Sequence, residues 1–454
     1  MAGTVIDGRA EDGAGPRQHI AVAISGGGHR ASLFGLGALL YLVDAGKGPE
    51  LATISSISGG SITNGYVGVT TDIRAVAPAD FWRGMKPFAR QVATVGTLFA
   101  SPLTVAYLVL GSVIMVAAVV LTVLLNAAWA WLIWAVALLA VGWLAQQRSW
   151  VAARAFDRVL FKGARLDSMH AGVAHVICSA DLQTAEHVYF SGRFVNSFRT
   201  GWGVPGTLRL VRAVQASAAL PGAFNTVRLP VAAHNFEKSP PFRSFKLTDG
   251  GVYDNMGTEW PIRLAQRLKE GAPPAPLASA DELIVVNGSA AQGIVKRRSL
   301  RTPLLGEITT LLAVKDVLYD QTTAVRRRLL DLRFRVTRRD PESPAGRLTG
   351  AQVQIDRSPY DLPDSFAGFT DALGDRASKT IERLGGDDDA LRKAWSEAAD
   401  ANRGVKTALS KIPADRAASV VRHAYALTMA NCHVLLDYPL VEIPDAARFR
   451  ELVS

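Results

Sequence analysis

Cysteine is almost absent from this chain of 454 residues. The two cysteines, Cys178 and Cys432, lie far apart and form no CxxC motif. Neither a disulfide framework nor a cysteine-liganded zinc site is therefore indicated. His170, His175 and His187 also lack the spacing of metal ligands. We predict no metal site and no cofactor, and we interpret Cys178, which lies in an apolar run, as a buried thiol.

Charged residues are missing from one long stretch of the chain. No Asp, Glu, Lys or Arg occurs between Arg90 and Arg148, and residues 103–125 and 129–144 are almost wholly apolar. A helix needs about 20 apolar residues to cross a bilayer. We therefore predict a two-helix transmembrane hairpin at 96–146. The alternative is a buried helical hairpin in a soluble core, and the length of the uncharged stretch argues against it.

Basic residues flank this uncharged stretch on both sides. They are Arg83, Lys86 and Arg90 before it, and Arg148, Arg154, Arg158, Lys162 and Arg165 after it. Two passes return the chain to its starting side, and positive flanks favour the cytoplasm. The rest of the protein is thus expected to face the cytoplasm. The formal net charge of +10 favours membrane lipids, especially anionic phospholipids, as partners. The sequence contains neither zinc-finger spacing nor a basic run with interleaved aromatic residues, so we do not predict nucleic acid as a partner. The oligomeric state is not predicted by any pattern.

Short apolar runs alternate with glycine turns and helical periodicity. The segments 19–25 and 51–57 read as strands, and 31–44 and 61–68 read as helices. Further strands are predicted at 173–180, 187–190, 243–248 and 281–287, and helices at 211–219, 305–335 and 417–436. This alternation indicates an α/β domain with a parallel sheet. The predicted organisation is a flexible leader at 1–18, an α/β domain at 19–302 interrupted by the hairpin, and a mainly helical C-terminal extension at 303–454 packed on that domain.

The first glycine-rich turn reads Ser-Gly-Gly-Gly-His-Arg and spans Ser25–Arg30. Backbone N–H groups at such a strand–helix junction bind anions, either a phosphate or the oxyanion of an acyl-transfer intermediate. The string Gly26-x-Gly28-x-x-Ala31 also fits the dinucleotide-binding pattern. The acidic residue of that pattern should end the second strand, whereas Glu50 precedes it. Both anions remain open at this point.

A serine and an aspartate are candidates for nucleophilic chemistry. Ser58 follows a predicted strand, with Ser56 before it and Gly59 and Gly60 after it, as in a nucleophile elbow. Asp249 also follows a predicted strand, and Gly250 and Gly251 come next. A serine nucleophile needs a base, and this carboxylate is a candidate. The alternative interpretation of the second string is an ordinary Asp-Gly turn.

Four blocks together resemble the patatin-like phospholipases. They are Ser25–Arg30, Ile57–Gly60, Ala216–Gly222 and Asp249–Gly251, in that order within residues 20–257. The resemblance implies a three-layer α/β/α sandwich, interrupted here by the hairpin. It also implies hydrolysis of an ester in a phospholipid or a related acyl lipid, of the phospholipase or lysophospholipase type.

The same resemblance implies roles for single residues. Ser58 would be the nucleophile and Asp249 its base, without a histidine. The oxyanion hole would comprise Gly26, Gly27, Gly28 and Gly59, and the supporting residues would be Arg30, Gly60, Gly250 and Gly251. The sequence departs from the family pattern at Ser56, where glycine is usual, and at Met256, where proline is frequent. Two other functions remain open: a catalytically silent lipid-binding or scaffold protein of this fold, and a dinucleotide-binding oxidoreductase.

Overall fold

The computed structural model of the protein describes residues 17–97, 101–125, 127–289, 303–340 and 348–454. The predicted flexible leader at 1–18 lies outside these residues except for its last two positions. The described chain has a mixed α/β architecture, as the sequence predicted.

A mixed sheet of ten strands lies at the centre of the protein. The strands are β1 (Ile20–Ile24), β2 (Leu51–Ile57), β3 (Ala174–Asp181), β4 (Glu186–Phe190), β5 (Val195–Ser197), β6 (Gly201–Gly203), β7 (Val227–Pro230), β8 (Ser244–Asp249), β9 (Glu282–Asn287) and β10 (Thr349–Gln354). Their order is β10-β9-β1-β2-β3-β4-β5-β6, and β8 joins β3 and β7. The five strands from β10 to β3 are parallel.

The expectation of a parallel sheet is wrong for the second part of the sheet. Strands β4 and β8 both pair with β3 in the antiparallel sense, and β5, β6 and β7 continue antiparallel. The connection from β3 to β4 is a short turn between Asp181 and Glu186. A parallel connection needs a crossover of a dozen or more residues, so this turn can only join antiparallel strands.

Helices cover both faces of the sheet. They are α1 (Gly28–Asp44), α2 (Ser58–Thr70), α3 (Pro78–Thr94), α4 (Pro102–Leu124), α5 (Ala130–Phe156), α6 (Leu210–Ser217), α7 (Gly251–Asp254), α8 (Glu259–Glu270), α9 (Pro303–Arg339), α10 (Asp361–Phe366), α11 (Ala372–Leu384), α12 (Asp389–Arg403), α13 (Ala414–Leu436) and α14 (Ala446–Val453). Alternate residues of a strand point to opposite faces. Val22 accordingly belongs to the large core cluster with α1 and α13, and Ala23 belongs to the cluster with Leu330 and Phe334 of α9.

The C-terminal region is built into the same fold. Its strand β10 extends the sheet next to β9, although the sequence predicted mainly helices there. Its helix α13 packs along α1, and the Tyr425 hydroxyl donates a hydrogen bond of 2.8 Å to Asp44 at the end of α1. The sheet and its core therefore depend on residues beyond 302.

The parallel strands end at one edge of the sheet, which we call the C-terminal edge. Helix α3 begins at the opposite edge, where the Trp82 indole N–H donates to Asp44, and it ends at the C-terminal edge. There Thr97 contacts His29, near the start of α1. The chain therefore enters α4 at the C-terminal edge.

Helices α4 and α5, which we call the helical pair, pack against each other. Both are long and apolar enough to cross a membrane, and only 6% and 11% of the residues in their most apolar stretches are buried. This agrees with the predicted pair of apolar passes in length and composition. The second helix continues past 144 to Phe156, because residues such as Ser149, Val151 and Ala152 are buried against the α/β domain.

Candidate active site

Ser58 occupies a sharp turn between a strand and a helix. Strand β2 ends at Ile57, and α2 begins at Ser58 itself, with a backbone φ of 47° at this serine. Positive φ values are unfavourable for residues with a side chain, and they concentrate at functional sites. The half-buried Ser58 thus has the strained backbone expected of a nucleophile elbow.

Ser56 fits the elbow without the glycine that is usual there. Its side chain is fully buried and points towards β3, where its hydroxyl donates to the Val176 carbonyl at 3.2 Å. It accepts hydrogen bonds from the Asn64 amide at 2.9 Å and from the Ser61 hydroxyl at 3.1 Å. These partners satisfy the hydroxyl group in the interior, so the departure from the pattern is accommodated.

The glycine-rich turn Ser25–Arg30 is in direct backbone contact with the turn Ile57–Gly60, which we call the serine turn. A Cβ atom on Gly59 would lie 2.1 Å from the carbonyl oxygen of Gly28, and one on Gly60 would lie 2.7 Å from that of Ser25. Side chains at these two positions would force the turns apart. The structure therefore brings together the predicted residues Gly28, Ser58, Gly59 and Gly60.

Backbone N–H groups at this contact differ in whether they already have an acceptor. The N–H of Gly26 donates to the Asn255 carbonyl at 2.9 Å, and that of His29 donates to the Ala408 carbonyl at 3.0 Å. No described residue accepts a hydrogen bond from the N–H groups of Gly27, Gly28 or Gly59. Of the four predicted oxyanion-hole residues, these three have an N–H available, whereas the N–H of Gly26 is engaged.

Asp249 lies at the end of β8 and is almost completely buried. Its N–H donates to the Ala219 carbonyl at 3.0 Å, and its Oδ1 accepts a hydrogen bond from the Gly251 N–H at 2.8 Å. The ring of Tyr319, from α9, lies beside Gly251. Burial and the neighbouring charge of Asp249 raise the pKa of the Tyr319 phenol far above its usual value. The sequence offered no signal that this tyrosine approaches the aspartate.

The turn after Asp249 is closed by a second aspartate rather than by a proline. Asp254 is fully buried, and its carboxylate accepts hydrogen bonds from the N–H groups of Met256 and Glu259 at 2.9 and 2.8 Å. Proline at position 256 would have no N–H for this interaction. Hydrogen bonds to the Asp254 carboxylate thus take the place of the proline that is frequent in the family pattern.

Ser217 forms hydrogen bonds both to the serine turn and to the turn that follows Asp249. Its fully buried hydroxyl accepts a hydrogen bond from the Ser58 N–H at 2.9 Å and donates to the Cys178 carbonyl at 2.6 Å. Its backbone carbonyl accepts from the Gly250 N–H at 3.2 Å. The sequence indicated the block Ala216–Gly222 only through the resemblance, and the structure gives Ser217 a positioning role.

The two buried histidines near these turns are structural. His29 bonds through Nδ1 to the Ser410 carbonyl at 2.7 Å and through Nε2 to the Thr97 hydroxyl at 2.8 Å. Burial lowers the pKa of His29 to about 4. His187 bonds through Nε2 to the Gly250 carbonyl at 2.9 Å, and burial lowers its pKa too. Both rings are therefore neutral near pH 7.

Arg30 forms hydrogen bonds from the glycine-rich turn to the loop after β9 and to the loop after α12. Its buried guanidinium group donates to the carbonyl groups of Gly288, Arg403 and Val405 at 2.9, 2.9 and 2.6 Å. Burial lowers its pKa to about 10, which leaves it cationic at neutral pH. This agrees with a supporting role in which Arg30 holds the loop between α12 and α13 over the site.

Ser58 and Asp249 line one cavity of about 480 Å³. Gly27, Gly28 and Tyr319 also line it. Its apolar wall is formed by Ala218, Leu220, Ala223, Phe224 and Leu409. Ligand sites in proteins combine such apolar walls with a few converging polar groups, in cavities of this size.

Among the described residues, no group of three or more His, Cys, Asp or Glu side chains is arranged to hold a metal ion. No model of a known protein family matches the chain, and no curated protein matches it.

Proposed function

We propose that this protein is a membrane-anchored serine hydrolase of the phospholipase or lysophospholipase type, with Ser58 as nucleophile and Asp249 as base. The observation that carries the proposal is the shared cavity. A serine in a strained elbow, a buried carboxylate and two N–H groups without an acceptor among the described residues all line it. These are the parts that acyl transfer to a serine requires.

The chemistry follows from the roles of these groups. Asp249 accepts the Ser58 proton as Oγ attacks the ester carbonyl carbon, and the carbonyl oxygen becomes an oxyanion. The N–H groups of Gly27 and Gly28, with Gly59 as a further donor, stabilise this negative charge. Losing one such donor costs a factor of roughly 10²–10³ in rate. The alcohol leaves with the proton, and water then releases the acyl group from Ser58.

The proposed setting is a patatin-type α/β/α sandwich with the helical pair as a transmembrane hairpin and the remaining chain in the cytoplasm. The covered sheet and the exposed apolar helices support this setting. A membrane anchor suits a water-insoluble substrate, since it keeps the cavity close to the bilayer. The apolar wall around Leu220 and Phe224 would accept an acyl chain.

The contacts of the glycine turn weigh against the dinucleotide alternative. A pyrophosphate at the start of α1 needs several free N–H groups and open space. The N–H groups of Gly26 and His29 already have acceptors, and a Cβ atom on Gly28 would lie 2.6 Å from the carbonyl oxygen of Ala408. The remaining pair of donors fits a single oxyanion better than a pyrophosphate.

Labelling by a fluorophosphonate probe tests the proposal on the full-length protein in bilayer nanodiscs. The probe reacts with an activated serine, so wild type should be labelled, Ser58→Ala should not, and Asp249→Asn should lose most of the labelling. Ser378→Ala and Asp375→Asn, which change the same residue types outside the cavity, serve as controls. Equal labelling of folded wild type and Ser58→Ala would refute the assignment. A folded wild type that is never labelled would favour the catalytically silent lipid-binding protein.

A further inference from the structure

Helix α9 extends well beyond the edge of the sheet at which the cavity lies. Its end is fixed beside β10, where Arg338 donates to the Gly350 carbonyl, and Arg327 contacts Gln354 at the end of β10. The helix therefore runs antiparallel to β10 and passes the C-terminal edge near Arg327. At 1.5 Å per residue, Val317 lies about 15 Å further along the helix.

Two opposite sides of α9 have different environments at this level. Tyr319, Asp320 and Thr323 line the catalytic cavity. Leu318 lies on the side that faces away from it and is 53% exposed, and Val317, at the border between the two sides, is 56% exposed. Successive residues of a helix are 100° apart, so residues four positions apart share one side, and Val314 joins the exposed side at 47%. We call Val314, Val317 and Leu318 the outer apolar patch.

The helical pair leaves the domain at the same edge, and the chain contacts the cavity walls just before α4 and again within α5. Before α4, the Thr97 N–H donates to the carbonyl of Leu409, a residue of the cavity wall. Within α5, where its uncharged stretch ends, the Arg148 guanidinium donates to the carbonyl of Ala223, another wall residue. A bilayer around the helical pair would therefore lie next to the cavity on the side towards which α9 extends.

We infer that the outer apolar patch of α9 is a second membrane contact, which holds the mouth of the catalytic cavity against the surface of the bilayer. Aliphatic side chains that reach the surface of a bilayer enter the boundary between headgroups and acyl chains. The patch then shields its aliphatic groups in lipid, while the opposite side of the same helix continues to line the cavity. The inference rests on the proposed membrane location, and it does not depend on the hydrolytic chemistry.

Lipid fits this patch better than a second copy of the chain because the helical pair already sets the membrane at this edge. The remaining exposed aliphatic residues of α9 are Val325 at 49%, Leu329 and Leu332, and the last two offer an internal comparison. Leu329 and Leu332 are each 60% exposed, but they lie in the half of the helix beside the sheet. Leu332 is about 22 Å from Val317 along the helix, which is beyond the reach of an interfacial contact.

The test uses single cysteine variants carrying an environment-sensitive fluorophore, in nanodiscs of phosphatidylcholine and phosphatidylglycerol. The native Cys178 and Cys432 are fully buried and should not react in the folded protein. With doxyl-labelled lipid in the bilayer, fluorophore at Val317→Cys should lose most of its emission and that at Leu332→Cys should lose little. Equal quenching at both positions, or none at Val317→Cys, would overturn the inference.

Two further readings separate the possible failures. Shifted emission at Val317→Cys without quenching by doxyl lipid would mean that protein covers the patch, which also overturns the inference. Fluorophosphonate labelling of Ser58 in the same nanodiscs reports the hydrolase separately. Labelling of Ser58 without quenching at Val317→Cys would refute the membrane contact and support the hydrolase. Quenching without labelling would support the membrane contact and count against the hydrolase.

Discussion

Ser217→Ala removes a hydroxyl group that satisfies two backbone groups in the interior. The Ser58 N–H donates to it at 2.9 Å, and it donates to the Cys178 carbonyl at 2.6 Å. A buried polar group left without a partner costs about 1–3 kcal/mol. We therefore expect the variant to lose about 2–6 kcal/mol of unfolding free energy, as two groups lose their partner at once.

The same substitution should also reduce the reactivity of Ser58. A left-handed backbone at a residue with a side chain costs about 1–2 kcal/mol, and the hydrogen bond to Ser217 helps to hold it. Without this bond the elbow can relax to an unstrained conformation in which Oγ no longer faces the cavity. A shift of 1–2 kcal/mol corresponds to a decrease of roughly 5–30-fold in the labelling rate.

Ser61→Ala is the matched control, because Ser61 is equally buried and its hydroxyl contacts that of Ser217 at 2.9 Å but not Ser58. The two measurements are the thermal unfolding midpoint and the rate constant of fluorophosphonate labelling. Ser217→Ala should be labelled more slowly than Ser61→Ala at a temperature where both are folded. Identical labelling rates for the two variants would refute the positioning role of Ser217.

Two further predictions concern stability alone. Ser58→Gly should be more stable than Ser58→Ala by about 1 kcal/mol in thermal unfolding, because only glycine relieves the positive φ, and the opposite order would argue against backbone strain. His29 is a base whose pKa falls from 6.5 to about 4 on folding, so the unfolded chain binds its proton more tightly, and stability should be lost as the pH drops from about 6.5 towards 4. His29→Gln should show a smaller decrease of the unfolding midpoint over this interval, and an unchanged pH dependence would contradict the assignment.

Local sequence patterns predicted the elements that carry the candidate site. Strand β2 has the predicted bounds Leu51–Ile57, because its apolar β-branched run is followed directly by glycines. Strand β10 was missed: its sequence Thr-Gly-Ala-Gln-Val-Gln has little apolar character, and its pairing with β9 provides the missing stabilisation. Tertiary pairing of this kind leaves no periodic signal in the sequence.

The site itself was predictable only where the reacting residues follow a strand. Ser58 and Asp249 stand at strand ends, a position that the sequence reveals. Ser217 reaches Ser58 from 159 positions away, and Tyr319 reaches Asp249 from a helix beyond the predicted domain boundary. Hydrogen bonds between such distant residues follow from the packing of helices on the sheet, and no local pattern encodes them.

The direction of α3 places the proposed membrane segment next to the cavity. Helix α2 starts at the C-terminal edge with Ser58, and α3 runs back to that edge, where Thr97 meets His29. An apolar insertion at the opposite end of α3 would hold the cavity away from the bilayer. At its actual position, the insertion is in direct contact with the cavity walls. Thr97, just before α4, donates a hydrogen bond to Leu409, and Arg148 in α5 donates one to Ala223. The order of α2 and α3 thus determines the distance between the proposed membrane segment and the proposed nucleophile.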